Sequence, residues 1–184
     1  MLVEKIKKVI TRRSRKVIED KTLIPAAVLV LLYKKINELY LLFTRRTNKV
    51  ASHKGEISFP GGVREHNDEP SEVTALREAA EEVGIVPAQV EIIGLLDDCV
   101  TVSTNYVITP VVGFSPNPLQ FQINPEEVEE IIEIPFAFFQ SVFRQKRSVF
   151  SRTSFEPFDF QYKNYHIWGA TARIIAQFLE LLEE

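Results

Sequence analysis

Three glutamates spaced i, i+3 and i+4 constrain this chain more than any other feature. They lie in Arg77-Glu78-Ala79-Ala80-Glu81-Glu82-Val83-Gly84-Ile85, downstream of Phe59-Pro60-Gly61-Gly62. On a helix that spacing predicts Glu78, Glu81 and Glu82 on one face, within a side chain's reach of each other. Like charges so placed cost helix stability. A chain that accepts the cost is expected to hold a positive charge there. A hard divalent cation, Mg²⁺ or Mn²⁺, suits oxygen ligands and bridges to substrate phosphates.

The segment reads as a helix over about 70–83. Pro70 suits its first turn, with Asp68 or Ser71 as the cap. Val73, Leu76, Ala80 and Val83 form the expected apolar stripe, with the glutamates off it. Gly84 suits the left-handed residue that ends a helix. Arg77 is placed to brace a carboxylate by a bidentate contact. A bare Glu-x-x-Glu-Glu is more often a solvated acidic face than a site. Here Pro60-Gly61-Gly62, read as a tight turn that lets backbone approach a ligand, reverses that weighting.

Taken together these residues resemble the Nudix hydrolase family, whose signature is G-x5-E-x7-R-E-U-x-E-E-x-G-U with U a bulky apolar residue. Arg77 to Ile85 matches its right half, with the small Ala79 at the first U. The left half slips by one residue. Its lone acid falls on Glu69 counting back from Arg77 and on Asp68 counting forward from Gly62, and the two stay open. The longer loop resembles the coenzyme A pyrophosphatase subgroup. That subgroup also has an upstream motif near L-L-T-x-R-(S/A)-x3-R-x3-G-x3-F-P-G-G. Leu42-Phe43-Thr44-Arg45-Arg46-Thr47, Gly55 and Phe59-Pro60-Gly61-Gly62 follow it, with Ala51 in place of the second arginine. Leu96-Asp97-Asp98, Val107 to Val112, Asn124 to Val128 and Ile167-Trp168-Gly169-Ala170-Thr171-Ala172 extend the likeness from about residue 23 to the C-terminus.

The resemblance implies an α/β/α sandwich, an α+β fold with a mixed β-sheet between helices. It implies a metal-dependent hydrolase that splits coenzyme A or its derivatives into 3′,5′-ADP and 4′-phosphopantetheine. The alternatives are another Nudix pyrophosphohydrolase, acting on a nucleotide sugar, a dinucleotide or a nucleoside triphosphate, and a non-catalytic Nudix-fold binding module. Expected metal ligands are Glu78, Glu81 and Glu82, with the Gly62 carbonyl a further ligand by resemblance. Expected catalytic residues are Glu78, Glu82 and Arg77. The base is a box glutamate or a carboxylate of the later acidic loop, where Glu127 is favoured over Glu126, Glu129 and Glu130. Arg45, Arg46, Lys49, Lys54 and Gly61 are expected to meet substrate, the cations through its phosphates. His53 reads as a polar loop residue, Cys99 as a small buried one, and Trp168 as core packing rather than a stacking platform.

Composition agrees with a single folded unit. The 184 residues are 45% hydrophobic and 26% charged, as in soluble globular domains. One cysteine excludes an internal disulfide. The longest apolar stretch, residues 23–33, is too short to span a bilayer and reads as a buried strand. A charged N-terminus without a following apolar run carries no secretory signal, and the expected location is cytoplasmic. Residues 1–22 carry eight Lys/Arg against three Asp/Glu, while the remainder is acidic. They read as a basic amphipathic helix over about 3–18, part of or appended to a Nudix domain at 23–184. No aromatic platform accompanies those charges, so nucleic acid is not an expected partner. Expected partners are a small-molecule nucleotide substrate and, left open, a second copy in a homodimer. Remaining elements are expected as a hairpin (25–33 and 39–45), strands at 56–59, 90–97 and 105–114, a strand or acidic turn at 126–134, a helix at 135–143, a hairpin within 144–166 and a helix at 169–182.

Overall fold

A computed structural model describes residues 2–47, 55–65, 69–102, 104–149 and 158–183. Lys49, Ala51, His53, Lys54 and Asp68 lie outside the described residues.

The chain's centre is the strand β1 (Ile24–Lys35), whose apolar run is buried on both faces. It turns tightly into β2 (Glu38–Arg46), with Lys35 opposite Glu38. Ile36 and Asn37 take φ of 49° and 64°, the left-handed pair that a two-residue hairpin turn demands. On its other side β1 pairs in parallel with β7 (Tyr106–Ser115). β3 (Ile57–Ser58) and β8 (Val128–Pro135) both pair with β2, and β4 (Gly61–Val63) pairs with β1. β5 (Glu91–Leu95) and β6 (Cys99–Val100) pair with β7. The result is one eight-stranded mixed sheet.

Alternation along the strands sorts side chains to two faces. Ala27, Leu29, Leu31 and Tyr33 pack with the helix α2 (Ser71–Val83). Val30 and Leu32 pack with α1 (Leu2–Arg12), α3 (Phe136–Val149) and α4 (Gly169–Glu183) on the opposite face. This is the expected α/β/α sandwich. β9 (Phe160–Tyr162) and β10 (Tyr165–Ile167) make a separate hairpin that leads into α4.

Three expectations change. The N-terminal helix ends at Arg12 rather than near residue 18, because other partners capture the following backbone. Asp97 accepts from Lys16 N–H at 2.8 Å and Asp98 from Ile18 N–H at 2.9 Å. Arg13 also pairs with Asp97 and Arg15 with Asp98. Ile6 and Ile10 of α1 are buried in the core beneath the sheet. The helix at 135–143 continues to Val149, since Phe136, Phe139 and Phe143 keep one face on the core while Lys146 and Arg147 extend the solvent face. Among the described residues the hairpin spans 160–167.

Candidate active site

The box helix is turned from its expected orientation. Its inward residues are Ser71, Thr74, Ala75, Ala79, Glu82 and Val83, while Val73 is half exposed. Small residues at 75 and 79 let the helix lie close on β1, and the same rotation carries Glu82 inward. Its side chain is 3% exposed. At about 100° per residue, Glu82 lies about 40° to one side of Glu78 and Glu81 about 60° to the other, so Glu81 and Glu82 point about 100° apart. Both Glu78 and Glu82 line a cleft of ≈ 600 Å³, while the Glu81 side chain is 56% exposed and outside it. The two carboxylates brought together are thus the i, i+4 pair.

No side chain caps the helix at its start, where Pro70 precedes Ser71. Ser71 instead receives a hydrogen bond from Arg64. At its end Gly84 has φ 69° and its N–H donates to the Ala80 carbonyl, as expected. The last carbonyls are then used to hold a loop: Gln122 N–H donates to Val83 O and Asn124 N–H to Glu82 O, each at 2.9 Å. Asn124 in turn fixes the acidic loop. Its Nδ2 donates to Glu127 Oε1 at 3.1 Å, and its Oδ1 accepts from Glu126 N–H at 3.2 Å. Glu127 N–H donates back to Asn124 O, and Glu127 O accepts from Thr47 N–H. This brings Glu127 to the cleft with Glu78 and Glu82. Glu129 is exposed, and Glu130 is bonded by the Tyr165 hydroxyl at 2.6 Å and paired with Arg45.

Pro60-Gly61-Gly62 is not a turn. Gly61 and Gly62 run as strand along β1, and contact rather than positive φ requires glycine at both. A Cβ at Gly61 would lie 2.3 Å from the Ala27 carbonyl oxygen and 2.6 Å from Val28 Cα. A Cβ at Gly62 would lie 2.4 Å from the Glu78 carboxyl. Bare backbone at this point is what lets the Glu78 carboxylate sit against the chain.

Arg77 gathers the carboxylates around it. It donates to Glu78 Oε1 at 2.7 Å and lies 3.4 Å from Glu65, 3.6 Å from Glu69 and 3.7 Å from Glu81. Glu69 also accepts from Thr74 Oγ1 at 2.6 Å, which holds its carboxyl below the usual range. Burial raises the Glu78 carboxyl despite Arg77. Burial pushes Glu82 up to about 8, against the opposing pull of Arg46 and the Gly61 N–H, and Glu127 and Glu78 add to the rise. Gly61 N–H lies 3.3 Å from Glu82 Oε2 and Arg46 Nη1 lies 3.6 Å from Glu82 Oε1. Such weak compensation for a buried carboxylate, in an all-oxygen donor set of Glu78, Glu82 and Gly62, fits a hard divalent cation. Among the described residues no three His, Cys, Asp or Glu side chains converge on one point.

The two upstream arginines part company, as neighbours on a strand must. Arg46 lines the cleft, and its buried Nε has no hydrogen-bond partner. Arg45 is used within the protein, 3.4 Å from Glu130 and over the Tyr165 ring at 5.4 Å. Trp168 does not pack in the core as expected. It is 52% exposed and lines the cleft with Tyr106, Ile108 and Arg173. Arg173 carries no sequence signal of its own; only its helical offset from the Ile167-Trp168-Gly169 segment points to it.

The family model for the NUDIX domain matches residues 23–152. The peroxisomal coenzyme A diphosphatase NUDT7 of Mus musculus is 40% identical over 156 residues, covering 80% of this chain and 66% of that protein. The chain thus spans just under two thirds of that relative's length. A protein of Photorhabdus laumondii described as an uncharacterized Nudix hydrolase, NudL, is 37% identical over 145 residues, covering 78% and 77%. A MutT/nudix family protein from Enterococcus faecalis shares the fold at a TM-score of 0.56 and 13% identity, covering 99% of this chain and 74% of that one. The Nudix hydrolase RenU of M. smegmatis does so at 0.55 and 18%, covering 71% and 89%. The chain belongs to the Nudix family and is a Nudix hydrolase, an enzyme class that uses divalent metal ions. No helix among the described residues is long and apolar enough to cross a membrane.

Proposed function

We propose that this enzyme hydrolyses the diphosphate linkage of coenzyme A or its derivatives, releasing 3′,5′-ADP and 4′-phosphopantetheine. One observation carries the reading. Arg46, Phe59, Gly61, Gly62 and the box carboxylates Glu78 and Glu82, which belong to separate parts of the subgroup motif, line one cleft. The likeness to a coenzyme A diphosphatase supports it.

Glu78, Glu82 and the Gly62 carbonyl would hold Mg²⁺ or Mn²⁺. A divalent ion held there would supply charge neutralisation on the diphosphate oxygens and make the attacking water more acidic. The chain's own residues do the rest. Arg77 fixes the Glu78 carboxylate through Oε1. Arg46, which lines the cleft beside Glu82, donates from its guanidinium to a diphosphate oxygen. Asn124 occupies Glu127 Oε1, leaving Oε2 to take the proton of the attacking water. Arg45 contributes no direct contact, since Glu130 and Tyr165 already engage it.

The test is product analysis with Mg²⁺ or Mn²⁺ over coenzyme A, dephospho-coenzyme A, ADP-ribose, NADH and a nucleoside triphosphate. A marked preference for coenzyme A is expected. Preference for another member would make Ala51, where the subgroup motif has arginine, the mark of a changed pocket.

A further inference from the structure

Trp168 is the only tryptophan in the chain, and half of its surface is open to solvent on the cleft wall. Its position is fixed from both sides. Ile167 before it is fully buried in β10, and Gly169 after it has φ 65°, turning the chain into α4. Arg173, one turn further on, is anchored by donating from Nη2 to the Val100 carbonyl at 2.6 Å. That bond uses one of the five N–H groups of its guanidinium. Tyr106 and the 92% exposed Val102 complete this wall.

The cleft therefore has two chemically distinct sets of lining groups. One holds Glu78, Glu82, Glu127 and Arg46; the other offers an indole face, a phenol ring and a guanidinium. A large aromatic side chain left uncovered, beside a cation in a cavity of ≈ 600 Å³, suits a planar π ligand that carries negative charge. A nucleobase joined to a ribose phosphate has both properties. The aliphatic amide arm on the other side of the diphosphate of coenzyme A has neither the π-face nor the charge.

We propose that Trp168 and Arg173 form the nucleoside subsite, with the purine base stacked on the indole and the guanidinium on the ribose phosphate. This deepens, and rests on, the reading that the substrate is a nucleoside diphosphate derivative. It makes Trp168 and Arg173 determinants of affinity for the nucleotide half, separate from the residues around the scissile bond.

A single tryptophan permits a test without turnover. The enzyme is titrated in Mg²⁺ with 3′,5′-ADP, 5′-AMP and 4′-phosphopantetheine, which lack an anhydride to cleave, while tryptophan emission is followed. Both adenine nucleotides are expected to quench it, 3′,5′-ADP at several-fold lower concentration, and 4′-phosphopantetheine to leave it unchanged. Arg173→Gln should erase the advantage of 3′,5′-ADP over 5′-AMP. Trp168→Ala should raise KM about tenfold, with a smaller effect on kcat, and Trp168→Phe should restore most of the loss. Quenching by 4′-phosphopantetheine alone would overturn the proposal, as would no quenching by any ligand in an enzyme that hydrolyses coenzyme A. Quenching by adenine nucleotides in an enzyme inert to coenzyme A would uphold the subsite and remove the coenzyme A reading.

Discussion

Glu82→Gln should stabilise the cation-free protein at alkaline pH while abolishing turnover. Loss of hydrolysis follows from the sequence alone, which also suggests that stability should hardly change. Burial overturns the second half. A carboxyl moved from 4.5 to about 8 keeps its proton in the folded chain across a pH range where the unfolded chain has released it. The folded state then binds more protons, so stability falls as pH rises through that interval and levels off above about 8. At about 1.36 kcal/mol per pH unit the interval amounts to on the order of 4–5 kcal/mol. In a chain of 184 residues that is a difference in Tm on the order of 10 °C. The assay is thermal unfolding in EDTA from pH 5 to 8.5, wild type against Glu82→Gln. The two curves should coincide near pH 5 and separate toward pH 8.5, with the variant more stable. Added Mg²⁺ or Mn²⁺ should lift the wild-type curve at high pH and do far less for the variant. Parallel curves across the range would refute the burial argument and the metal assignment that leans on it.

The two glycines of β4 should respond differently to the same added methyl group. Gly61→Ala drives its Cβ into the β1 backbone, which has nowhere to go, and should cost about 3 kcal/mol or more of unfolding free energy. Gly62→Ala meets the end of the Glu78 side chain rather than backbone, so it should keep most of the stability and lose turnover by at least tenfold; urea unfolding and product assays separate the outcomes. Ile6→Ala tests the proposal that residues 1–22 are part of the domain. A fully buried isoleucine should cost about 2–5 kcal/mol in a single unfolding transition, whereas a loss below about 1 kcal/mol would mean that α1 peels away alone.

The central hairpin of the sheet was legible because its signals are local. The apolar runs of β1 and β2 and the short break between them each act within a few residues. The end of α1 was not, because Asp97 and Asp98, some eighty residues away, take the backbone groups that would have continued it. The Gly61-Gly62 strand has the same cause. Its glycines answer to Ala27, Val28 and Glu78 across space, so reading them as turn residues was reasonable and incorrect.

Two of the misread site residues, Glu82 and Trp168, share one property: burial opposite to what their chemistry favours. Glu82 was placed off the apolar stripe because a carboxylate belongs in water, and Trp168 inside because an indole does not. The structure reverses both, with Glu82 buried and Trp168 open. Each reversal carries a free-energy cost to the isolated chain, and each cost would be removed by a ligand of matching character: a cation against the carboxylate, a flat base against the indole. Sequence patterning rests on the assumption that a chain satisfies itself. It fails first at those positions where satisfaction comes from a molecule the chain must bind.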